Sequence, residues 1–226
     1  MRLLIISDLH IGDGSEKDMF GWDEFEFIKM LKYWRPKVDH IILNGDTFEL
    51  YKFTMEDIIN ARPRLVSHIY DNCELIKGNH DFLIKAKKKL VIKTKDFSCL
   101  IEHGNSIDGR EGFVAGQLLD RFLYILLSTI TRIPFINDIY IKIYPTIEKS
   151  LMSKYYKDSN DLIFLNYAFK KLFKYDIVVL GHTHTQKIIH TKYEGKYKVY
   201  VNCGTCSETN FQGVLLDTEL RDVRLI

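Results

Sequence analysis

The chain has little cysteine, little proline, no excess of charge of either sign and no long apolar run. Four cysteines in 226 residues (Cys73, Cys99, Cys203, Cys206) are too few for a disulfide scaffold. Cys203 and Cys206 form one C-x-x-C pair, without the second Cys or His pair of a structural zinc site, so all four read as buried thiols in a reducing compartment. The first apolar run, Leu3 to Ile6, turns polar at Ser7-Asp8 and is too short for a signal peptide. No stretch reaches the roughly 18 uncharged apolar residues of a membrane span, and a cytoplasmic location is the expectation. Lys and Arg number 32 against 30 acidic residues, a net charge of +2. That balance is no nucleic-acid footprint by itself, although it leaves room for a local basic patch.

A 46% hydrophobic and 27% charged composition places the chain among globular proteins. The length suits one large domain, or a domain carrying an inserted subdomain, and lets about 70% of the unfolded surface be buried. Short apolar runs recur, each ending in Asp, His, Asn or Gly. Leu3–Ile6 leads into Asp8-Leu9-His10, Ile41–Leu43 into Asn44-Gly45-Asp46, and Leu75-Ile76 into Gly78-Asn79-His80-Asp81. Cys99–Ile101 leads into Glu102-His103-Gly104, and Ile177–Leu180 into Gly181-His182-Thr183-His184. Such runs read as buried strands. Between the early ones, Trp22, Phe25, Ile28, Lys29 and Tyr33 follow helical spacing up to Pro36, and about 54–70 reads as a helix interrupted near Pro63. Alternating strands and helices predict an α/β protein with parallel strands, whose ligands collect beyond the strands' carboxyl ends. The later segments Lys187–His190, Lys198–Val201, Val214–Leu216 and Val223–Ile226 predict antiparallel strands finishing a second sheet.

Residues from about 112 to 171 form a separate block. Leu119, Phe122, Leu123, Leu126, Leu127 and Ile130 share a helical face, and Pro134 and Pro145 break the block. Both ends adjoin the predicted site, so the block is expected to act as a helical lid. Its apolar stripe either packs the lid or forms a groove for a lipid-like substrate or membrane surface, which would place the protein peripherally at a membrane. The cluster Lys85, Lys87, Lys88, Lys89, Lys93 and Lys95 reads as a solvated face, with steering of polyphosphate, nucleic acid or anionic lipid as the functional alternative.

The strand-end residues Asp8, His10, Asp46, Asn79, His103, His182 and His184 offer four imidazoles, two carboxylates and one amide. One ion has four to six positions, so seven ligands suit two ions sharing a bridging carboxylate. The mixture favours Mn²⁺, Fe or Zn²⁺, with Mn²⁺ foremost, over Mg²⁺ and Ca²⁺. Two divalent cations with two carboxylates and a bridging hydroxide remain net positive, which favours a phosphorylated substrate and in-line displacement at phosphorus. Each element alone has a plain structural explanation as a cap, turn or core histidine. Gly78-Asn79-His80-Asp81 is sharper, since four specified neighbours arise by chance in roughly one chain of this length per thousand.

The ordered set Asp8-x-His10, Gly45-Asp46, Gly78-Asn79-His80-Asp81, His103 and Gly181-His182-x-His184 resembles the calcineurin-like metallophosphoesterase superfamily. The resemblance implies a four-layer α/β/β/α sandwich of two mixed sheets around a dinuclear centre. One metal would take Asp8, His10, Asp46 and His184, the other Asp46, Asn79, His103 and His182. His80 would stabilise the transition state or protonate the leaving oxygen, with Asp81 either orienting His80 or capping its loop. Gly45-Asp46-Thr47-Phe48-Glu49 lacks the Asp-Arg-Gly of protein phosphatases and looks like the UDP-2,3-diacylglucosamine diphosphatase branch, which carries Arg at the place of His80. The expected activity is hydrolysis of a phosphoester or diphosphate in a small molecule, nucleotide- or lipid-linked. The alternatives are a small metal-dependent nuclease and a non-catalytic scaffold of the same fold.

Overall fold

The computed structural model describes residues 1–107 and 158–226. Two five-stranded sheets face each other. In the first, β1 (Arg2–Ile6), β2 (His40–Asn44) and β3 (Cys73–Ile76) run parallel. They are connected through α1 (Glu24–Trp34), α2 (Met55–Ala61) and α3 (Pro63–Asn72). The second contains β4 (Lys89–Lys93), β5 (Ser98–Glu102), β6 (Ile177–Leu180), β7 (Lys187–Tyr193) and β8 (Lys196–Asn202), with α4 (Asp158–Leu172) entering β6. β9 (Gly213–Asp217) and β10 (Asp222–Leu225) close the chain as a hairpin.

Strand alternation sorts the apolar side chains into layers. Leu4, Ile6, Ile41 and Leu43 face outward onto Phe27, Leu31, Leu65 and Ile69 of α1 and α3. Leu3, Ile5 and Ile42 face inward and meet Cys99, Ile101, Ile177, Val179, Val199 and Val201 of the second sheet. The other face of that sheet, Leu100, Val178, Leu180 and Tyr200, packs on Phe164, Ala168 and Leu172 of α4. This is the expected α/β/β/α sandwich, with both faces of each central strand buried. Among the described residues, no helix is long and apolar enough to cross a membrane.

One feature differs from the sequence expectations, and one adds to them. α1 buries Phe27 and Leu31, while Phe25 and Tyr33 are exposed; aromatic spacing marked the helix but not its core face. β9 pairs antiparallel with β1, so the final hairpin extends the first sheet rather than the second. The tail of the predicted insert, 158–171, lies in α4 on the outer face of the second sheet. The rest of that block, with its apolar stripe and lid role, lies outside the described residues. Lys85, Lys87, Lys88, Lys89, Lys93 and Lys95 are exposed on and around edge strand β4, where charge discourages strand addition.

Candidate metal centre

The predicted ligands sit just past the carboxyl ends of strands. Asp8 and His10 follow β1, Asp46 follows β2, Asn79 follows β3, His103 follows β5, and His182 and His184 follow β6. Beyond β1 and β2 the loops continue to pair, with Asp8 N donating to Gly45 O (3.1 Å) and His10 N to Asp46 O (2.9 Å). Asp8, His10, Asp46, His182 and His184 all adopt positive φ, between 50° and 69°. This conformation costs a non-glycine residue of order 1–3 kcal/mol and persists where the surroundings over-determine it. The concentration of five such residues at one place marks a built site. Gly78 lies where a Cβ would come within 2.1 Å of Asp46 Oδ1, so only glycine lets the β3 loop close on the β2 loop.

The side chains converge in overlapping groups. Asp8, His10 and His184 offer donor atoms within 4.8 Å of one another, as do Asp46, His103 and His182, and His10, Asp46 and His80. His184 Nε2 lies 3.2 Å from both Asp8 Oδ1 and His10 Nε2. His103 Nε2 lies 3.0 Å from Asp46 Oδ2 and 3.2 Å from His182 Nδ1. Asn79 is buried, and the backbone N–H of its neighbour His80 donates to Asp46 Oδ1 (2.8 Å). The two sheets meet here, since His182 N also donates to Asp8 Oδ2 (3.0 Å).

These residues fit divalent cations. His103 Nδ1 donates to Asn44 O (2.8 Å), so a cation that displaces the Nε2 proton would meet a lone pair there, beside the Asp46 carboxylate. His10 Nδ1 donates to Glu49 Oε2 (3.2 Å), which leaves its Nε2 lone pair facing the cluster. Outer hydrogen bonds thus select the metal-binding tautomer. Asp8 Oδ1 and Asn79 Oδ1 are buried without a hydrogen bond, an unfavourable arrangement that a cation relieves. Separations of 3.0–3.2 Å suit donors sharing one ion at about 2.1 Å each.

The charges are strongly perturbed. Burial opposes ionisation of Asp8 and Asp46, but His103 and the neighbouring imidazoles overcome it and hold both carboxyls below their usual range. Burial lowers His103 as well, yet Asp46 and Asp8 lift it to about 10. His10 is lowered, first by burial and then by His80. Asp81 is raised to about 7 by burial and by Asp46.

Glu49 is the residue the sequence reading passed over. Its buried carboxylate accepts from His80 Nδ1 (2.8 and 2.9 Å) as well as from His10. Burial would raise its pKa, but His80 and His10 hold it well below the ordinary glutamate value. Asp81 is bound by backbone groups. It accepts from Thr47 N (2.8 Å) and Gly78 N (2.6 Å), clamping the β2 and β3 loops together. The signal for Glu49 was a charge between two core residues, Phe48 and Leu50.

Among curated proteins none matches the chain. Among solved structures, it is similar to a novel archaeal phosphodiesterase (16% identity, covering 100% of this chain and 99% of that one, TM-score 0.46). It is also similar to Yfce, a phosphoesterase from E. coli (12%, 100% and 98%, 0.45). Another similar structure is Vps29 from Entamoeba histolytica complexed with Zn²⁺ (17%, 100% and 90%, 0.45). The family model for calcineurin-like phosphoesterases matches residues 1–186. With that match spanning most of the chain and the His and Asp clusters closing the strands it covers, the protein belongs to the calcineurin-like phosphoesterase family.

Proposed function

We propose that this protein is a two-metal hydrolase of phosphoester or diphosphate bonds, with Mn²⁺ as the favoured metal and Fe or Zn²⁺ as alternatives. The observation that carries this reading is the sharing of Asp46 between donor groups. One of its oxygens faces His103 and His182, and the carboxylate also groups with His10. In the proposed assignment Asp8, His10, Asp46 and His184 hold one ion, and Asp46, Asn79, His103 and His182 hold the other. Bound there, the ions would supply a water nucleophile at neutral pH and offset negative charge on phosphorus oxygens.

His80 stands beside these groups, in edge contact with the His10 ring at 4.6 Å. Its Nδ1–H is held by Glu49, which leaves Nε2 to exchange a proton. Burial pulls its pKa down, but Glu49 and Asp46 more than offset this. A pKa raised above the ordinary histidine value favours the protonated ring, the form that a donor to the leaving oxygen requires. Asp46 also fixes the His80 backbone, so proton donor and metal site share one anchor. The substrate is proposed to be a phosphorylated small molecule, nucleotide- or lipid-linked. Four free thiols, three of them fully buried, suit a cytoplasmic setting.

The test is a panel of phosphomonoesters, phosphodiesters and nucleotide diphosphate-sugars, plain and lipidated, with Mn²⁺-loaded protein. At least one class should be hydrolysed, and His80→Ala should lower kcat by about 10²-fold or more with metal content unchanged. Full activity in His80→Ala would overturn the proton-donor role, and an inert panel would overturn the hydrolase.

A further inference from the structure

A second site lies at the opposite end of the sandwich. A cavity of about 680 Å³ opens where β5, β6 and β8 begin, bounded by Ser98, Ile177 and Lys198. The strands run from this cavity toward the metal centre. The path from Ser98 to His103 spans about 16 Å at the usual rise per residue, so the two sites are separate.

Four connections bring cations to the cavity. Lys93 and Lys95 flank the β4–β5 turn, Lys174 precedes β6, Lys196 opens β8, and Arg221 sits in the β9–β10 turn. With Lys198, that makes six cations against two carboxylates, Asp96 and Asp176. The local balance is +4, twice the +2 of the entire chain. Asp176 is already engaged by Lys198 Nζ (2.9 Å) and by Ser98. Among the described residues, Lys93, Lys95, Lys174, Lys196 and Arg221 make no salt bridge. Crowded like charges repel one another, and a concave surface focuses their field, so the cavity is tuned for an anion. The volume is that of a small-molecule pocket rather than of a flat membrane-facing patch.

Aromatic rings adjoin the cations. Phe173 and Tyr197 line the cavity and are 63% and 53% exposed. An exposed ring next to free ammonium groups offers a stacking surface for a planar base while the cations take phosphates.

We propose that this cavity binds a nucleoside di- or triphosphate, with its phosphates among Lys93, Lys95, Lys196 and Arg221 and its base against Tyr197 or Phe173. The site does not depend on the hydrolytic function assigned to the metal centre. Equilibrium dialysis of the full-length, metal-loaded protein with α,β-methylene-ADP, whose P–C–P bridge resists hydrolysis, tests it. Saturable binding is expected, with Kd raised tenfold or more in Lys95→Glu/Lys196→Glu and in the separate turn variant Arg221→Glu. Tyr197→Ala should weaken the nucleotide more than inorganic pyrophosphate. Hydrolysis by the metal centre should stay within twofold in every variant whose circular dichroism is native. Absence of saturable binding, or affinity insensitive to both charge reversals, would overturn the proposal. Tighter binding of a single-stranded oligonucleotide through the same lysines would overturn the mononucleotide assignment.

Discussion

Glu49 holds His10 through one oxygen and His80 through both, from a position with no solvent exposure. A glutamine there keeps the shape but presents one acceptor and one NH₂ group, so the two imidazole N–H donors can no longer both be satisfied. Glu49→Gln is therefore expected to lower kcat by about 10–100-fold, with KM within about threefold, because orientation is lost while substrate contacts remain. Steady-state kinetics on folded protein checks this, and a raised KM with intact kcat would contradict it. His103 gives a second expectation at the same scale. With a pKa raised to about 10, its ring keeps a proton in the metal-free fold at neutral pH. The sign follows directly. The raised pKa contributes stability that is complete below the unfolded value near 6.5 and lost as pH rises through about 10. A cation must displace that proton, so metal affinity should increase with pH between about 7 and 10. Calorimetry at pH 8 in buffers of different ionisation enthalpy should detect about one proton released per chain, and no release would contradict the assignment.

At the scale of elements, the strand ends were legible because a strand buried on both faces shows as an unbroken apolar run, and a polar stop on such a run is conspicuous. Leu3–Ile6 and Ile177–Leu180 carry that signal in full. Glu49 showed only as a charge between Phe48 and Leu50, because its loop has no period and its partners lie 31 and 39 residues away in sequence. The core face of α1 was not legible, because Phe25 and Tyr33 are apolar yet lie over solvent, and periodicity cannot weigh one apolar stripe against another. Alternation in β9 and β10 announced half-buried strands but not which sheet edge they join, a choice set by packing against β1. Loop closure gives a test. Gly78→Ala forces a Cβ onto Asp46 Oδ1 and its backbone, so the β3 loop must retreat from the β2 loop. The variant should lose metal affinity by tenfold or more and melt at lower temperature. Native metal affinity, measured by competition with a chromogenic chelator, would show that the close approach is dispensable.

Across the whole molecule, the donors come from both halves of the sandwich. Asp8, His10, Asp46 and Asn79 belong to strand ends of the first sheet, while His103, His182 and His184 belong to the second. Direct polar ties join the sheets at this end, His182 N to Asp8 Oδ2, Asn44 Nδ2 to Glu102 O and His103 Nδ1 to Asn44 O among them. In the proposed two-metal reading, ions held between the sheets would add to these ties and act on stability and catalysis together. The opposite end carries the basic cavity, so its Lys and Arg side chains and the candidate metal ligands occupy separate poles of one fold.

The most direct measurement is a titration of metal-stripped protein with Mn²⁺, following bound metal and hydrolysis of an activated phosphodiester in the same samples. Activity should be absent at the start and rise to a plateau as occupancy reaches two ions per chain. Full activity in the stripped protein, or a plateau at one ion, would contradict a paired-metal centre built on Asp46.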